Sequence, residues 1–185
     1  MLIIWDYFGV IAQDSFWYTA ERLAVGKDMS AEMHEMQHRA DLGKISWDEY
    51  CHAVATDIGL TFDEVYFGYQ KHDIKQRNIL AIQSMPEHTH VLLSNASAQY
   101  LRPIIVKLGL DKLFKGIYVS SEIGFAKPDQ RAFAHVLNDT GHVAQDAIMI
   151  DDSTQNIDAA EQLGIKGIIF DPGADIVLRI NQLLV

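Results

Sequence analysis

The sequence predicts an α/β fold in which a parallel β-sheet is interrupted, after its first strand, by an all-helical segment. Five short apolar runs have the continuity typical of strands buried on both faces, and they lie at residues 2–5, 91–93, 117–119, 147–150 and 167–170. Helical patterns follow the last four runs, at about 97–108, 129–139, 153–163 and 174–184. Strands and helices that alternate at these lengths are typical of a parallel sheet with crossover helices.

The segment from residue 14 to about residue 83 breaks this alternation, because it contains no clear strand pattern. Ser46 and Thr61 each stand three residues before a glutamate, which is the pattern of a helix-starting capping box. Ser30 is a third candidate helix cap. The segment therefore predicts several helices in succession.

This pattern suggests a two-part organisation of the chain. We expect an α/β core made of residues 1–13 and 84–185, and a helical cap made of residues 14–83. Open parallel sheets bind their ligands at the carboxyl ends of the strands. An insertion directly after the first strand is placed to cover that edge.

The composition of the chain excludes several classes of protein. Of its 185 residues, 49% are hydrophobic, which is enough for a buried core. The net charge of −10 disfavours nucleic acid and anionic membranes as partners. Cys51 is the single cysteine, so no internal disulfide forms. Neither a signal-peptide pattern nor a membrane-length apolar run is present, so we expect a cytoplasmic protein, whose oligomeric state the sequence leaves open.

Polar residues follow several predicted strands, where one pocket could gather them, and they are Asp6, Ser94, Asn95, Lys127, Asp151 and Asp152. A carboxylate at a strand end can attack phosphorus or carbon as a nucleophile. Several carboxylates held together repel one another, so they require a lysine and a divalent cation such as Mg²⁺. Each of these residues alone is typical of an ordinary turn or helix cap. Their ordered occurrence at successive strand ends favours a shared site.

Four stretches of the chain resemble the motifs of the haloacid dehalogenase (HAD) superfamily, in its subfamily IA type branch with a helical cap after the first strand. They are IIWDYFGVI, VLLSNAS, SSEIGFAKPDQRAFAHVL and AIMIDDSTQNIDAAEQLGI, in the family's order. The segment ADLGKISWDEY also resembles the family's cap. The resemblance implies a Rossmann-like core and a hydrolase, most often a Mg²⁺-dependent phosphatase that acts on a small phosphorylated metabolite.

The resemblance also implies roles for individual residues in catalysis. Asp6 would be the nucleophile that forms an aspartyl phosphate. Ser94 and Lys127 would bind the phosphoryl oxygens, and Asn95 and Asn156 would line the phosphate-binding pocket.

The metal site implied by the resemblance uses a partly overlapping set of residues. Mg²⁺ would be bound by Asp6, by the backbone carbonyl of Phe8 and by Asp152. Asp151 would orient Lys127 or a metal-bound water.

Phe8 is the main departure from the family pattern, since most of the family's phosphatases have an aspartate there. That aspartate protonates the leaving oxygen and then activates water, and general acid–base catalysis of this kind is worth about 10²–10⁴-fold in rate. A phenylalanine can do neither. Three interpretations remain open at this point, and they differ in the class of protein.

The first interpretation is a phosphatase in which another group or a water replaces the acid, or in which this step is weakened. The second is a metal-independent 2-haloacid dehalogenase, since that branch tolerates an aromatic residue at the position of Phe8. Val10, where dehalogenases usually have threonine, and the metal-type pair Asp151–Asp152 disfavour it. The third is a non-catalytic module that binds a ligand or a protein.

Overall fold

A parallel five-stranded sheet organises the part of the chain that the structure, a computed structural model, describes: residues 1–13 and 30–184. Its strands are β1 (Leu2–Trp5), β2 (Thr89–Ser94), β3 (Gly116–Val119), β4 (Ala147–Asp151) and β5 (Lys166–Ile169). They run in the order β3-β2-β1-β4-β5, and every pairing is parallel. The predicted α/β class and Rossmann-like parallel sheet are confirmed.

The register of the sheet brings three strand ends to one level. β1 lies at the centre, where its last residue, Trp5, pairs with Leu92 of β2 and with Ile150 of β4. The backbone N–H of Asp6 continues the ladder by donating to the carbonyl of Ile150 at 3.0 Å. Residues that follow these three strands therefore emerge side by side at the carboxyl edge.

Nine helices accompany the sheet in the described ranges. They are α1 (Ala31–Asp41), α2 (Trp47–Ile58), α3 (Phe62–Tyr69), α4 (Gln76–Ser84), α5 (Ala98–Lys107), α6 (Ser120–Ile123), α7 (Gln130–Thr140), α8 (Thr154–Gln162) and α9 (Ile176–Leu183). Short 3₁₀ turns occupy Leu110–Lys112 and Ala144–Asp146. None of the helices in these ranges is both long and apolar enough to cross a membrane.

The segment between β1 and β2 is helical in its described part, and it forms no strand between residues 30 and 83. α4 packs against α9 at the other end of the chain. Residues 14–29 of the predicted cap lie outside the described residues. The division of the chain at residues 13 and 84 therefore stays a prediction.

The helix starts predicted in this segment are confirmed. Ser46 and Thr61 both form capping boxes, in which the hydroxyl accepts from the backbone N–H of a glutamate and the glutamate carboxylate accepts in return. The hydroxyl of Ser30 accepts from the backbone N–H of Met33 at 3.2 Å and caps α1. These bonds satisfy backbone donors that a helix start would otherwise leave unpaired.

The apolar run of β1 is continuous because the strand is buried on both faces. Ile3 and Trp5 belong to one hydrophobic cluster, whereas Leu2 and Ile4 belong to a second cluster on the opposite face. The indole N–H of Trp5 donates to Nδ1 of His90 at 3.1 Å, which gives this buried polar atom a partner. The central strand is thereby fixed, and with it the position of the residue that follows it.

We expect Thr61→Ala to lower the free energy of unfolding by about 1 kcal/mol, because it removes the N-cap of α3. The Thr61 hydroxyl accepts from the N–H of Glu64 at 3.3 Å and donates to its carboxylate at 2.8 Å. Urea unfolding measures this loss. Thr56→Ala is the matched control, because the exposed Thr56 lies within α2 and alanine favours helix there. An equal loss in both variants would contradict the capping assignment.

Candidate active site

A cavity of about 310 Å³ opens at the carboxyl edge of the sheet. Six of the predicted site residues line it, namely Asp6, Phe8, Asn95, Lys127, Asp152 and Asn156, together with Gly9. The helices contribute a second wall, made of Gln37, Asp41, Trp47, Tyr50, Tyr69 and Tyr100. The cavity therefore combines charged groups from the sheet with a largely aromatic wall from the helices.

A buried lysine lies between two carboxylates at the base of this cavity. Nζ of Lys127 is 2.8 Å from Oδ1 of Asp6 and 2.6 Å from Oδ2 of Asp151. Burial alone would lower the pKa of Lys127, but the charges of Asp6 and Asp151 outweigh it and raise that pKa. The lysine is therefore held in its cationic form.

Asp6 is positioned by its place in the chain, directly after β1. Its Oδ1 accepts from the backbone N–H of Tyr7 at 2.6 Å as well as from Lys127, whereas Oδ2 has no hydrogen bond with the described residues. Burial raises the pKa of Asp6 to about 7; Lys127 opposes the rise, and Asp151 and Asp152 add to it. One carboxylate oxygen is thus anchored and the other is available to a ligand.

Asp151 lies behind Lys127 and is fully buried. Its carboxylate accepts from the backbone N–H of Ser153 at 2.9 Å and from Nδ2 of Asn156 at 3.0 Å. These donors, with Lys127, satisfy a carboxylate that would otherwise be costly to bury. Asp151 and Asn156 thus set the position of the lysine.

Asn95 fixes the backbone at the same lysine. Its Nδ2 donates to the carbonyl of Lys127 at 2.7 Å, and its Oδ1 accepts from the N–H of Lys127 at 2.8 Å. The peptide bond between Lys127 and Pro128 is cis. The family resemblance places Asn95 in the phosphate-binding pocket. In the structure, its amide both donates to and accepts from the backbone of Lys127.

Ser94, the last residue of β2, is fully buried and, like Asp151, does not line the cavity. Its Oγ has no hydrogen-bond partner among the described residues, and the only other buried side-chain polar atom of that kind there is Nε1 of Trp47. A buried hydroxyl without a partner is costly unless a ligand or water satisfies it. This Oγ is a donor still available beneath the cavity.

Three carboxylates meet at the edge of the sheet. Oxygens of Asp6, Asp151 and Asp152 all lie within 4.8 Å of one another. Asp6 and Asp151 share Lys127, whereas Asp152 has no ion-pair partner among the described residues. A Cβ on Gly9 would lie 1.9 Å from Oδ2 of Asp152, so the loop after β1 approaches this carboxylate as only glycine allows. This set of hard oxygen donors fits Mg²⁺.

The Phe8 side chain packs into an aromatic cluster. Its ring stacks on that of Tyr100, with a centroid distance of 6.3 Å and an interplanar angle of 3°, and meets Tyr7 edge-on at 5.0 Å. The Tyr7 hydroxyl bonds to Nδ1 of His72, and Nε2 of His72 bonds to the Tyr100 hydroxyl. Burial lowers the pKa of His72 to about 4. Most of the family's phosphatases have an acid at the position of Phe8. Here that position holds a ring that belongs to an aromatic cluster.

Sequence reasoning missed two residues near this site. The ammonium group of Lys75 donates to the carbonyl of Gly9, and Asp152 partly offsets the lowering of the lysine's pKa by burial. Asp41 lines the cavity from the end of α1. Asp41 lies in the segment ADLGKISWDEY, so the signal was the acid within a family-like stretch. Lys75 has no comparable signal in the sequence.

We expect Lys127→Met to lower the free energy of unfolding by about 3–5 kcal/mol, because two buried carboxylates lose their shared cation. Urea unfolding measures this. Lys71→Met, at an exposed lysine, is the control and should change little. Adding Asp151→Asn to Lys127→Met should recover part of the loss, since one unpaired charge is then removed. Equal effects of the Lys127 and Lys71 variants would show that the ion pairs do not stabilise the site.

Comparisons with known proteins agree with the fold. A family model for haloacid dehalogenase-like hydrolases matches residues 1–164. A sesquiterpene phosphatase from Aspergillus oryzae is 24% identical over 166 residues, which are 86% of this chain and 83% of that protein. A drimenol cyclase from Aspergillus calidoustus is 31% identical over 78 residues, which are 42% of this chain but only 15% of the cyclase.

The fold is shared with solved structures. The magnesium complex of a HAD family enzyme from Bacteroides thetaiotaomicron superimposes with a TM-score of 0.79 at 20% identity, covering 96% of each chain. At this identity the likeness shows the fold alone. The family model, which covers most of the chain and includes every predicted site residue, establishes more: the chain belongs to the haloacid dehalogenase-like hydrolase family.

Proposed function

We propose that this hydrolase is a Mg²⁺-dependent phosphatase that cleaves a small phosphorylated metabolite through an aspartyl phosphate at Asp6. The observation that carries the proposal is the asymmetry of the Asp6 carboxylate. Oδ1 is bonded to Lys127 and to the Tyr7 N–H, while Oδ2 has no hydrogen bond with the described residues. A carboxylate held in this way can present one oxygen to an electrophile.

The surrounding residues suit a phosphoryl group. Lys127 and the Ser94 hydroxyl supply fixed donors for its oxygens, which carry the charge in the transition state. Asn95 positions the lysine through its backbone, and Asn156 positions Asp151 behind it. In this proposal Asn95 and Asn156 thus act on phosphate binding chiefly through Lys127.

The metal would be held by Asp6, Asp152 and the backbone carbonyl of Phe8. When bound, Mg²⁺ would supply positive charge that offsets the carboxylates and the phosphoryl oxygens. Asp152 has no ion-pair partner among the described residues, and this fact and its close approach to Gly9 support the assignment. The fold shared with an enzyme solved as a magnesium complex agrees with it.

The chemical step follows from the geometry of Asp6. Oδ2 attacks phosphorus as the bond from phosphorus to the ester oxygen breaks, and the leaving oxygen takes a proton from water or from an acidic residue of the site, since Phe8 cannot supply one. Water then attacks phosphorus, releases phosphate and regenerates the carboxylate. Aromatic side chains line much of the cavity, among them Phe8, Trp47 and Tyr69. They favour an ester with an apolar organic group. The name of the A. oryzae relative, a sesquiterpene phosphatase, agrees with that preference.

A metal-independent 2-haloacid dehalogenase is the second candidate, because Phe8 gives the cavity the aromatic residue that this branch tolerates. It needs only Asp6 as nucleophile on carbon. The three carboxylates whose oxygens lie within 4.8 Å of one another disfavour it, since Lys127 pairs with only two of them and like charges this close repel one another. The two candidates differ in their dependence on metal.

We expect phosphate release from phosphomonoesters to require Mg²⁺ and to stop with chelator. Asp6→Asn should lower turnover by at least about 10³-fold, because it removes the nucleophile. Asp152→Asn should lose the rise in melting temperature that Mg²⁺ produces in the wild type. Asp146→Asn, at an exposed acid, is the control and should retain both properties.

A panel of phosphomonoesters and 2-haloacids, each run with Mg²⁺ and with chelator, separates the candidates. Halide release that persists in chelator would replace the phosphatase with the dehalogenase. The absence of any turnover, with ligand binding retained, would indicate the non-catalytic module.

A further inference from the structure

A third carboxylic acid faces the cavity without a role in the proposed function. Asp6, Asp41 and Asp152 are the carboxylic acids that line the cavity in the described part of the chain. Asp6 is assigned to attack, and Asp152 to the metal. Asp41 is the last residue of α1 and comes from the helical wall rather than from a strand end. It is the one remaining carboxyl that could exchange a proton with a ligand there.

The backbone of Asp41 is tied to the sheet. The Ser120 hydroxyl donates to the carbonyl of Asp41 at 2.5 Å, and its oxygen accepts from the N–H of Ala96 at 2.9 Å. Ser120 is fully buried at the start of α6, and Ala96 follows Asn95 in the loop after β2. Two successive hydrogen bonds therefore fix the end of α1 relative to the loop that follows β2.

The side chain of Asp41, in contrast, is not held by any hydrogen bond or ion pair with the described residues, although the residue is partly buried. Burial raises the pKa of Asp41 to about 7. A carboxyl in this state is partly protonated near neutral pH, which suits a general acid. Asp41 is not one of the three carboxylates whose oxygens lie within 4.8 Å of one another.

The position of Asp41 also matches the direction of the reaction. In phosphoryl transfer the attacking and leaving oxygens lie roughly in line on opposite sides of phosphorus. When Asp6 attacks from the edge of the sheet, the leaving oxygen points away from the sheet, toward the wall built by the helices. Asp41 belongs to that wall, whereas Phe8, where most of the family's phosphatases have their acid, offers only a ring.

We propose that Asp41 is the general acid and base of this site. It takes the role of the aspartate that most of the family's phosphatases have at the position of Phe8. Asp41 donates its proton to the ester oxygen as the bond from phosphorus to that oxygen breaks, which releases the alcohol. The resulting carboxylate then accepts a proton from the water that attacks the aspartyl phosphate. Phosphate leaves, Asp6 is regenerated as a carboxylate and Asp41 is protonated again. This inference rests on the proposed function.

The test compares wild type with Asp41→Asn on phosphate esters whose leaving groups range from acidic phenols to simple alkyl alcohols, all with Mg²⁺. We expect kcat/KM for alkyl esters to fall by about 10²–10⁴-fold. Esters of acidic phenols should change by no more than a few-fold, because such leaving groups need little protonation. Glu35→Gln is the matched control, since Glu35 lies exposed on the same helix, and it should leave all substrates unchanged.

Two outcomes would overturn the role of Asp41. An equal loss on alkyl and aryl esters would mean that Asp41 supports the fold or binds substrate, and no loss on either would mean that it does not act. If Asp41→Asn does not fold, as judged by thermal melting, Asp41→Ser is used with the same expectations. The proposed function fails separately: wild type that releases no phosphate, or Asp6→Asn that is fully active, would reject it whatever Asp41 does.

Discussion

The shared ion pair of Lys127 with Asp6 and Asp151 is the interaction on which the site depends. Three acidic residues, two of them buried, converge where parallel strands end, and without a cation they would repel one another or take up protons. One lysine, 2.8 Å from Asp6 and 2.6 Å from Asp151, makes the convergence possible. The amides of Asn95 and Asn156 hold this arrangement from both sides. Since Lys127 offsets only part of the negative charge of the three carboxylates, the remaining charge favours a divalent cation.

The same constraint explains how the chain can tolerate Phe8. Nothing in the lysine-centred arrangement depends on the side chain at position 8, which packs among Tyr7, His72 and Tyr100 instead. A phenylalanine at that position thus supplies no proton, while the bonds of Asp6 to Lys127 and to the Tyr7 N–H are kept. In our proposal the proton comes from the opposite wall, where α1 ends at Asp41. In this proposal Asp6, at the edge of the sheet, attacks phosphorus, and Asp41, at the end of a helix, transfers the proton.

Sequence reasoning predicted the sheet, the helix starts at Ser46 and Thr61 and the residues gathered at the strand ends, because each depends on local pattern. It did not reveal that Ser94 is buried beneath the cavity or that the Asn95 amide is bonded to Lys127, since both depend on how separate loops approach. Asp41 escaped notice for the same reason. The Ser120 hydroxyl donates to the carbonyl of Asp41 across 79 positions of the chain, and no local pattern predicts such a bond.

The most direct test of the account is to look for the phosphoryl group on Asp6. Protein mixed with Mg²⁺ and an activated aryl phosphate is quenched in acid during turnover, digested and analysed by mass spectrometry. The account predicts one phosphoryl group on the peptide that contains Asp6, and none in Asp6→Asn. Phosphate release during a first turnover with no phosphorylated peptide, or with the phosphoryl group on another residue, would contradict it.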